Sequence, residues 1–186
     1  MANAKQISLY RSRFRGRDDV FGCSAGPGQP YMPACENLWT ASCHLRLKDG
    51  QGCAVCEVKK YIPVSDESVL RAIQGEQIQI QYMLQLDGTV RFSALDLDCK
   101  PGKEEKGYSF DDLRHITKIL KEWGIPYGIA RSTTSGFHIY MLFDEPCSAA
   151  KFRTVMYHLF ERCGYMEQSR QGVRAKPGGA QDRLVA

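Results

Sequence analysis

The chain has 186 residues, 43% of them hydrophobic and 25% charged, with a formal net charge of +4. That composition suits one well-buried globular domain with a small appendage, and no apolar stretch reaches the roughly 18–20 residues of a membrane span. The opening "MANAKQISLYRSRF" carries no apolar secretory core, so the expectation is a cytoplasmic protein that makes no membrane contact.

In chain order, residues 1–34 read as an irregular segment rich in Arg, Gly and Pro. Arg11, Arg13, Arg15 and Arg17 are interleaved there with Tyr10 and Phe14. Such a mixture suits a phosphate backbone with stacked bases, and it equally describes a solvated surface. Arg170, Arg174, Lys176 and Arg183 repeat the basic bias near the C-terminus.

Residues 35–60 hold four of the eight cysteines, spaced Cys35-x7-Cys43-x9-Cys53-x2-Cys56. Four thiolates can close a tetrahedral zinc site, which would give shape to a loop-rich segment with little to bury. The competing readings are a redox C-x-x-C, which normally precedes a helix in a βαβ setting, and separate cytosolic thiols. His44 is the substitute ligand should one cysteine stand apart, and Trp39 is expected to be a core residue of this module. Cys23, Cys99, Cys147 and Cys163 show no ligand spacing.

"SDESVLRAIQG" predicts a helix capped by Ser65 or Asp66 and closed by Gly75. "QIQIQYMLQLDGTVRFSALDLD" predicts a hairpin turning at Asp87-Gly88. "YSFDDLRHITKILKEWG" predicts an amphipathic helix from Ser109 to Gly124. "IPYGIARS" and "GFHIYMLF" predict strands, and a second helix follows from Ser148 to Gly164. From residue 90 the order is that of an RNA-recognition-motif-like β-α-β-β-α-β unit lacking its last strand. The final "AQDRLVA" could begin that strand, which predicts a core truncated at its C-terminus.

Asp96 and Asp98 stand two apart in "RFSALDLDCK", so on a strand they share one face while Leu95 and Leu97 take the other. Paired carboxylates repel unless a cation or proton lies between them, and such pairs serve two-metal phosphoryl transfer. A strand with a wet outer face is the plain alternative. In "STTSGFHIYMLF" a Ser-Gly turn leads into a strand that places His138 near its start. Small residues there let a backbone approach an anion, and His138 could donate to a phosphate oxygen. A satisfied structural histidine is the other reading. In the β-α-β-β order the first and third strands are neighbours, which brings the acids and His138 to one sheet face. Arg131 could reach a triphosphate or form a surface salt bridge. His115 and His158 read as structural, and Trp123 as packing.

An hhhDhD strand, a helix and then S-G-x-H on a strand together resemble the catalytic core of the archaeo-eukaryotic primase superfamily. "LYRSRFRGRDDVFG", "YMPACENLW", the C-x-x-C and "VSDESVLRAIQG" are similar to its conflict-system and CRISPR-associated primase-polymerases. The resemblance implies an α+β fold: an RRM-like core over residues 61–186 with a mixed or antiparallel sheet and helices on one face. A zinc module over 35–60 and a basic segment over 1–34 would precede it. It also implies that Asp96 and Asp98 bind divalent Mg2+ or Mn2+, and that His138, with Ser135 and Gly136, contacts the phosphates of a dNTP or NTP. The third metal-binding acid would be Asp182 or lie beyond residue 186. The implied activity is primer synthesis or extension on a single-stranded DNA template by two-metal nucleotidyl transfer. A non-catalytic zinc-containing binder of single strands and a metal-dependent nuclease are the rivals.

Overall fold

The computed structural model describes residues 4–24, 31–43, 52–53, 55–97, 110–132, 136–169 and 172–175. Asp98, Cys99, Ser109, His44, Ser135 and Asp182 lie outside them, as do Arg170, Lys176 and Arg183. The chain divides into two compact units, residues 1–85 and 86–186. Among the described residues no helix is long and apolar enough to cross a membrane.

In the first unit the N-terminal segment is not irregular. Ala4–Arg13 forms helix α1, because the run contains no Gly or Pro and ends with Arg11 and Arg13 at the negative end of the helix dipole. Strands β1 (Phe21–Ser24) and β2 (Tyr31–Pro33) pair antiparallel, with Cys23 opposite Met32. Helix α2 (Asp66–Ile73) begins at Ser65. The Ser65 side chain accepts the Ser68 N–H at 3.1 Å and the Ser68 hydroxyl oxygen accepts the Ser65 N–H at 3.0 Å, a reciprocal cap with serine in the usual Glu/Gln place. Val20, Phe21, Met32, Ala34, Val69 and Met83 are buried here.

Strand β3 (Ile80–Gln81) is short and pairs with β1, giving the order β2-β1-β3. The expected hairpin across Asp87-Gly88 therefore does not form. The turn itself does: Asp87 accepts the Thr89 N–H at 2.9 Å and the Thr89 hydroxyl at 2.7 Å, and Gly88 takes φ +76°. It leads out of residues 61–85, expected to open the catalytic core, into a second unit whose first strand has another partner.

That strand, β4 (Thr89–Leu97), pairs antiparallel with β6 (Phe137–Ser148), which also pairs with β5 (Tyr127–Arg131). The sheet order is β4-β6-β5, so the sheet is antiparallel throughout. Helices α3 (Phe110–Glu122) and α4 (Ala149–Arg162) cover one face. Leu95, Leu97, Ile139 and Met141 meet Leu113, Ile116, Leu120, Met156 and Leu159 in a single core, with Ile116, Leu120, Ile139, Met141, Met156 and Leu159 fully buried. Trp123 packs against that core as expected. Gly124 and Gly164 follow the helices at φ +69° and +73°, where a left-handed residue ends an α-helix readily. Strands β7 (Met166–Ser169) and β8 (Gly172–Ala175) pair with each other as a separate two-stranded sheet; the strand expected to begin in "AQDRLVA" lies outside the described residues.

Candidate active site

The pleat of β4 sorts its side chains. Leu95 and Leu97 point into the helix-covered core at 3% and 2% exposure, and Asp96 between them stands on the opposite face with its side chain 47% exposed. Register then fixes what Asp96 meets. His138 lies directly across from it on β6, and Ala130 of β5 lies across from His138. The His138 Nε2 is 3.4 Å from an Asp96 Oδ1. The next row of the same face is Ala94, Tyr140 and Gly128. The Tyr140 hydroxyl lies 3.2 Å from His138 Nδ1, with the two rings edge to face at 6.0 Å. Burial raises the Tyr140 phenol above its ordinary pKa, and the Asp96 charge adds to that. Its hydroxyl therefore keeps its proton at neutral pH.

Small residues flank this row. A methyl group built on Gly128 would meet nothing within 4 Å. At the entrance to β6 the Ser132 N–H donates to the Gly136 carbonyl at 2.9 Å. Asp96, His138 and Gly136 thus belong to one end of one sheet. Asp98 and Ser135 lie outside the described residues. Arg131 is different. It stands in register with Phe137, and so on the helix side of the sheet, away from His138.

A second constellation lies in the first unit. Cys35, Cys43, Cys53 and Cys56 line one pocket together with Asn37, Leu38, Val58, Lys59 and Tyr61. Its legs are tied by an isolated antiparallel bridge between Cys35 and Tyr61. The Ile62 N–H donates to Ala34 O at 3.0 Å, the Asn37 amide to Val58 O at 2.6 Å and the Lys60 N–H to Cys35 Sγ at 3.2 Å. Burial pushes the Cys53 thiol up, and Cys43, Cys56 and Cys35 push it further, while Lys59 opposes the shift. Among the described residues no three metal-ligating side chains stand close enough to hold an ion as they are. Trp39 is not a core residue of this segment. It is 47% exposed, at a left-handed φ of 63°.

The profile described as "TOTE conflict system, Archaeo-Eukaryotic Primase domain" matches residues 5–173, spanning both units and both constellations. The chain belongs to this family. Of the two groups its sequence resembles, conflict-system and CRISPR-associated, the profile names the first. Among solved structures, the polymerase domain of Mycobacterium tuberculosis ligase D in complex with DNA is similar, with a TM-score of 0.44 and 13% identity. The match covers 84% of this chain and 59% of that one. No curated protein matches.

In this primase-family domain the N-terminal arginines divide into two pairs. Arg11 meets Asp66 at 2.6 Å, and Arg17 grips Asp19 through two bonds of 2.8 and 2.5 Å. These acids hold the two guanidiniums in place. Arg13 and Arg15 are exposed. Tyr140 is the site residue that sequence reasoning missed. Its i+2 spacing from His138 was a usable signal, since it put both side chains on one strand face.

Proposed function

We propose that this chain is a nucleotidyl-transferring domain that makes or extends primers on single-stranded DNA from nucleoside triphosphates. Family membership supports the reaction class, and the facing of Asp96 and His138 across β4 and β6 carries the assignment of the site. Asp96 has a half-exposed carboxylate on the face opposite the buried core, a donor suited to a hard divalent cation. Together with Asp98 it would hold Mg2+ or Mn2+, with Asp182 as a candidate third acid. When bound, such ions neutralise the triphosphate and activate a 3′-hydroxyl.

The chain's own groups do the rest by positioning. His138 presents a ring nitrogen beside the carboxylate, where it can donate to a phosphate oxygen drawn to the same end of the sheet. Gly136, with Ser135 as the family resemblance implies, would approach the phosphates. Ala94, Gly128 and Ala130 leave the face beside the histidine low, so that a nucleotide can lie against it. Arg131 is not counted among the nucleotide contacts, because its strand register turns it to the other side. Arg13 and Arg15 are the arginines we assign to the template backbone, since Arg11 and Arg17 are already paired with acids.

The four cysteines are assigned to one structural Zn2+. The observation behind this is that all four line one pocket. Thiolates would replace burial as the force that holds residues 35–60 together.

Incubation with a primed and an unprimed single-stranded template, labelled nucleotide and Mg2+ or Mn2+ tests the reading. Products that lengthen, and whose composition follows the template, are the expected result. Shortened DNA would identify a nuclease. Salt-sensitive binding with no product would identify a non-catalytic binder.

A further inference from the structure

We propose that Tyr140 is a positioning residue whose hydroxyl holds His138 in the Nε2–H tautomer, so that the imidazole always presents a hydrogen-bond donor to the Asp96 end of the sheet. The inference rests on the nucleotidyl-transfer reading for its purpose, and on side-chain geometry for its substance.

A neutral imidazole has one N–H, and the partner of each nitrogen decides which one carries it. His138 Nε2 faces Asp96 Oδ1 at 3.4 Å. In the metal-free protein an ionised carboxylate can only accept, so the nitrogen facing it is the one suited to carry the proton. Nδ1 is then left with a lone pair, and the Tyr140 hydroxyl lies 3.2 Å from it. That hydroxyl keeps its proton, because half-burial and the nearby carboxylate both disfavour a phenolate. The chain of donors runs in one direction: Tyr140 Oη–H to Nδ1, then Nε2–H toward Asp96.

The alternative tautomer would set an Nε2 lone pair against the carboxylate, which is repulsive. It would also leave no donor for a phosphate arriving at that end. Register keeps the tyrosine in place, since Tyr140 is paired with Ala94 on one side and Gly128 on the other. Neither neighbour is large enough to compete for its position. Tyr140 need not touch the nucleotide to matter; it decides what His138 can offer.

The test uses the full chain labelled with 15N-histidine, as wild type and as Tyr140→Phe, at a pH where His138 is neutral. In the wild type His138 should show a protonated Nε2 and a pyridine-type Nδ1 that accepts a hydrogen bond. In Tyr140→Phe the Nδ1 resonance should move and the tautomers should mix. The KM for nucleotide should rise about tenfold with kcat little changed, as for loss of a supporting partner behind a primary contact. A wild-type Nδ1–H form overturns the proposal without recourse to any variant. So does a Tyr140→Phe spectrum identical to wild type, or a shifted spectrum with unchanged KM. A wild type that extends no primer but shows the tautomer change would sink the nucleotidyl-transfer reading while upholding the tautomer assignment. An active wild type with an unmoved spectrum would do the reverse.

Discussion

His138 and Asp96 meet only because β4 and β6 keep one register. A slip of one residue would turn Asp96 into the core and Leu97 outward, so the buried leucines specify the site as firmly as the acid does. That part was legible, since Leu and Asp alternate in "ALDLD" and a strand has only two faces. The role of Tyr140 was not. Beside a run of Ile, Met and Phe a tyrosine reads as one more apolar side chain; its i+2 spacing from His138 puts it on the other face, and its distance to Nδ1 gives it a partner there. Trp39 failed the opposite way, because an aromatic beside cysteines suggested packing and its half-exposed, left-handed position depends on the turn around it. At this scale the account predicts that His138→Ala raises the KM for nucleotide by at least about tenfold while DNA affinity stays within a factor of about two. Steady-state extension kinetics with a binding titration would check it, and an unchanged KM would remove His138 from the nucleotide contacts.

Helix ends were the most readable elements, since Ser65, Ser148, Gly124 and Gly164 all stand where their chemistry places them. Strand partners were not. Asp87-Gly88 carries a true turn signal, yet β4 takes β6 as its neighbour and β3 takes β1. Turn chemistry is local, whereas pairing is chosen by which faces can be buried together. Gly16 shows the same dependence on distant chain. A methyl group there would lie 2.7 Å from the Tyr82 carbonyl oxygen, which already accepts the Arg17 N–H at 2.8 Å. Because the obstacle is backbone, Gly16→Ala should destabilise the first unit by about 1–3 kcal/mol. Denaturant unfolding would read this, and a neutral effect would mean that the link between residues 16–17 and 82 yields easily. The cysteine segment makes a third case. Cys53→Ser should lower bound zinc from about one ion per chain toward none and reduce the melting temperature. Metal analysis and a thermal melt would show it, and zinc-free wild-type protein that melts as before would dismiss the structural ion.

For the molecule as a whole, the family profile runs across both units, so the two sets of residues belong to one domain type. The sequence carried that much because motif order survives where topology is hard to read. Stability at high pH is a property of the whole second unit. Burial pushes the Cys163 thiol from 9.0 to about 11, with Asp112 adding to the shift and Arg162 opposing it. A raised thiol pKa favours the neutral form in the folded state. Its contribution is therefore fully present below the ordinary thiol value and is lost as pH rises from about 9 to about 11. The melting temperature of the wild type should fall more steeply over that interval than that of Cys163→Ala, with parallel curves as the contrary result.

Everything proposed about activity converges on one carboxylate. The decisive measurement is templated extension by Asp96→Ala beside the wild type, at matched concentration, with folding and single-strand binding checked on both. Loss of extension by more than about a hundredfold, with DNA affinity retained, is the result the account predicts, because several kcal/mol of charge stabilisation would go with the metal-binding oxygen. Extension by Asp96→Ala at the wild-type rate would contradict the account and move the catalytic centre away from this face of the sheet.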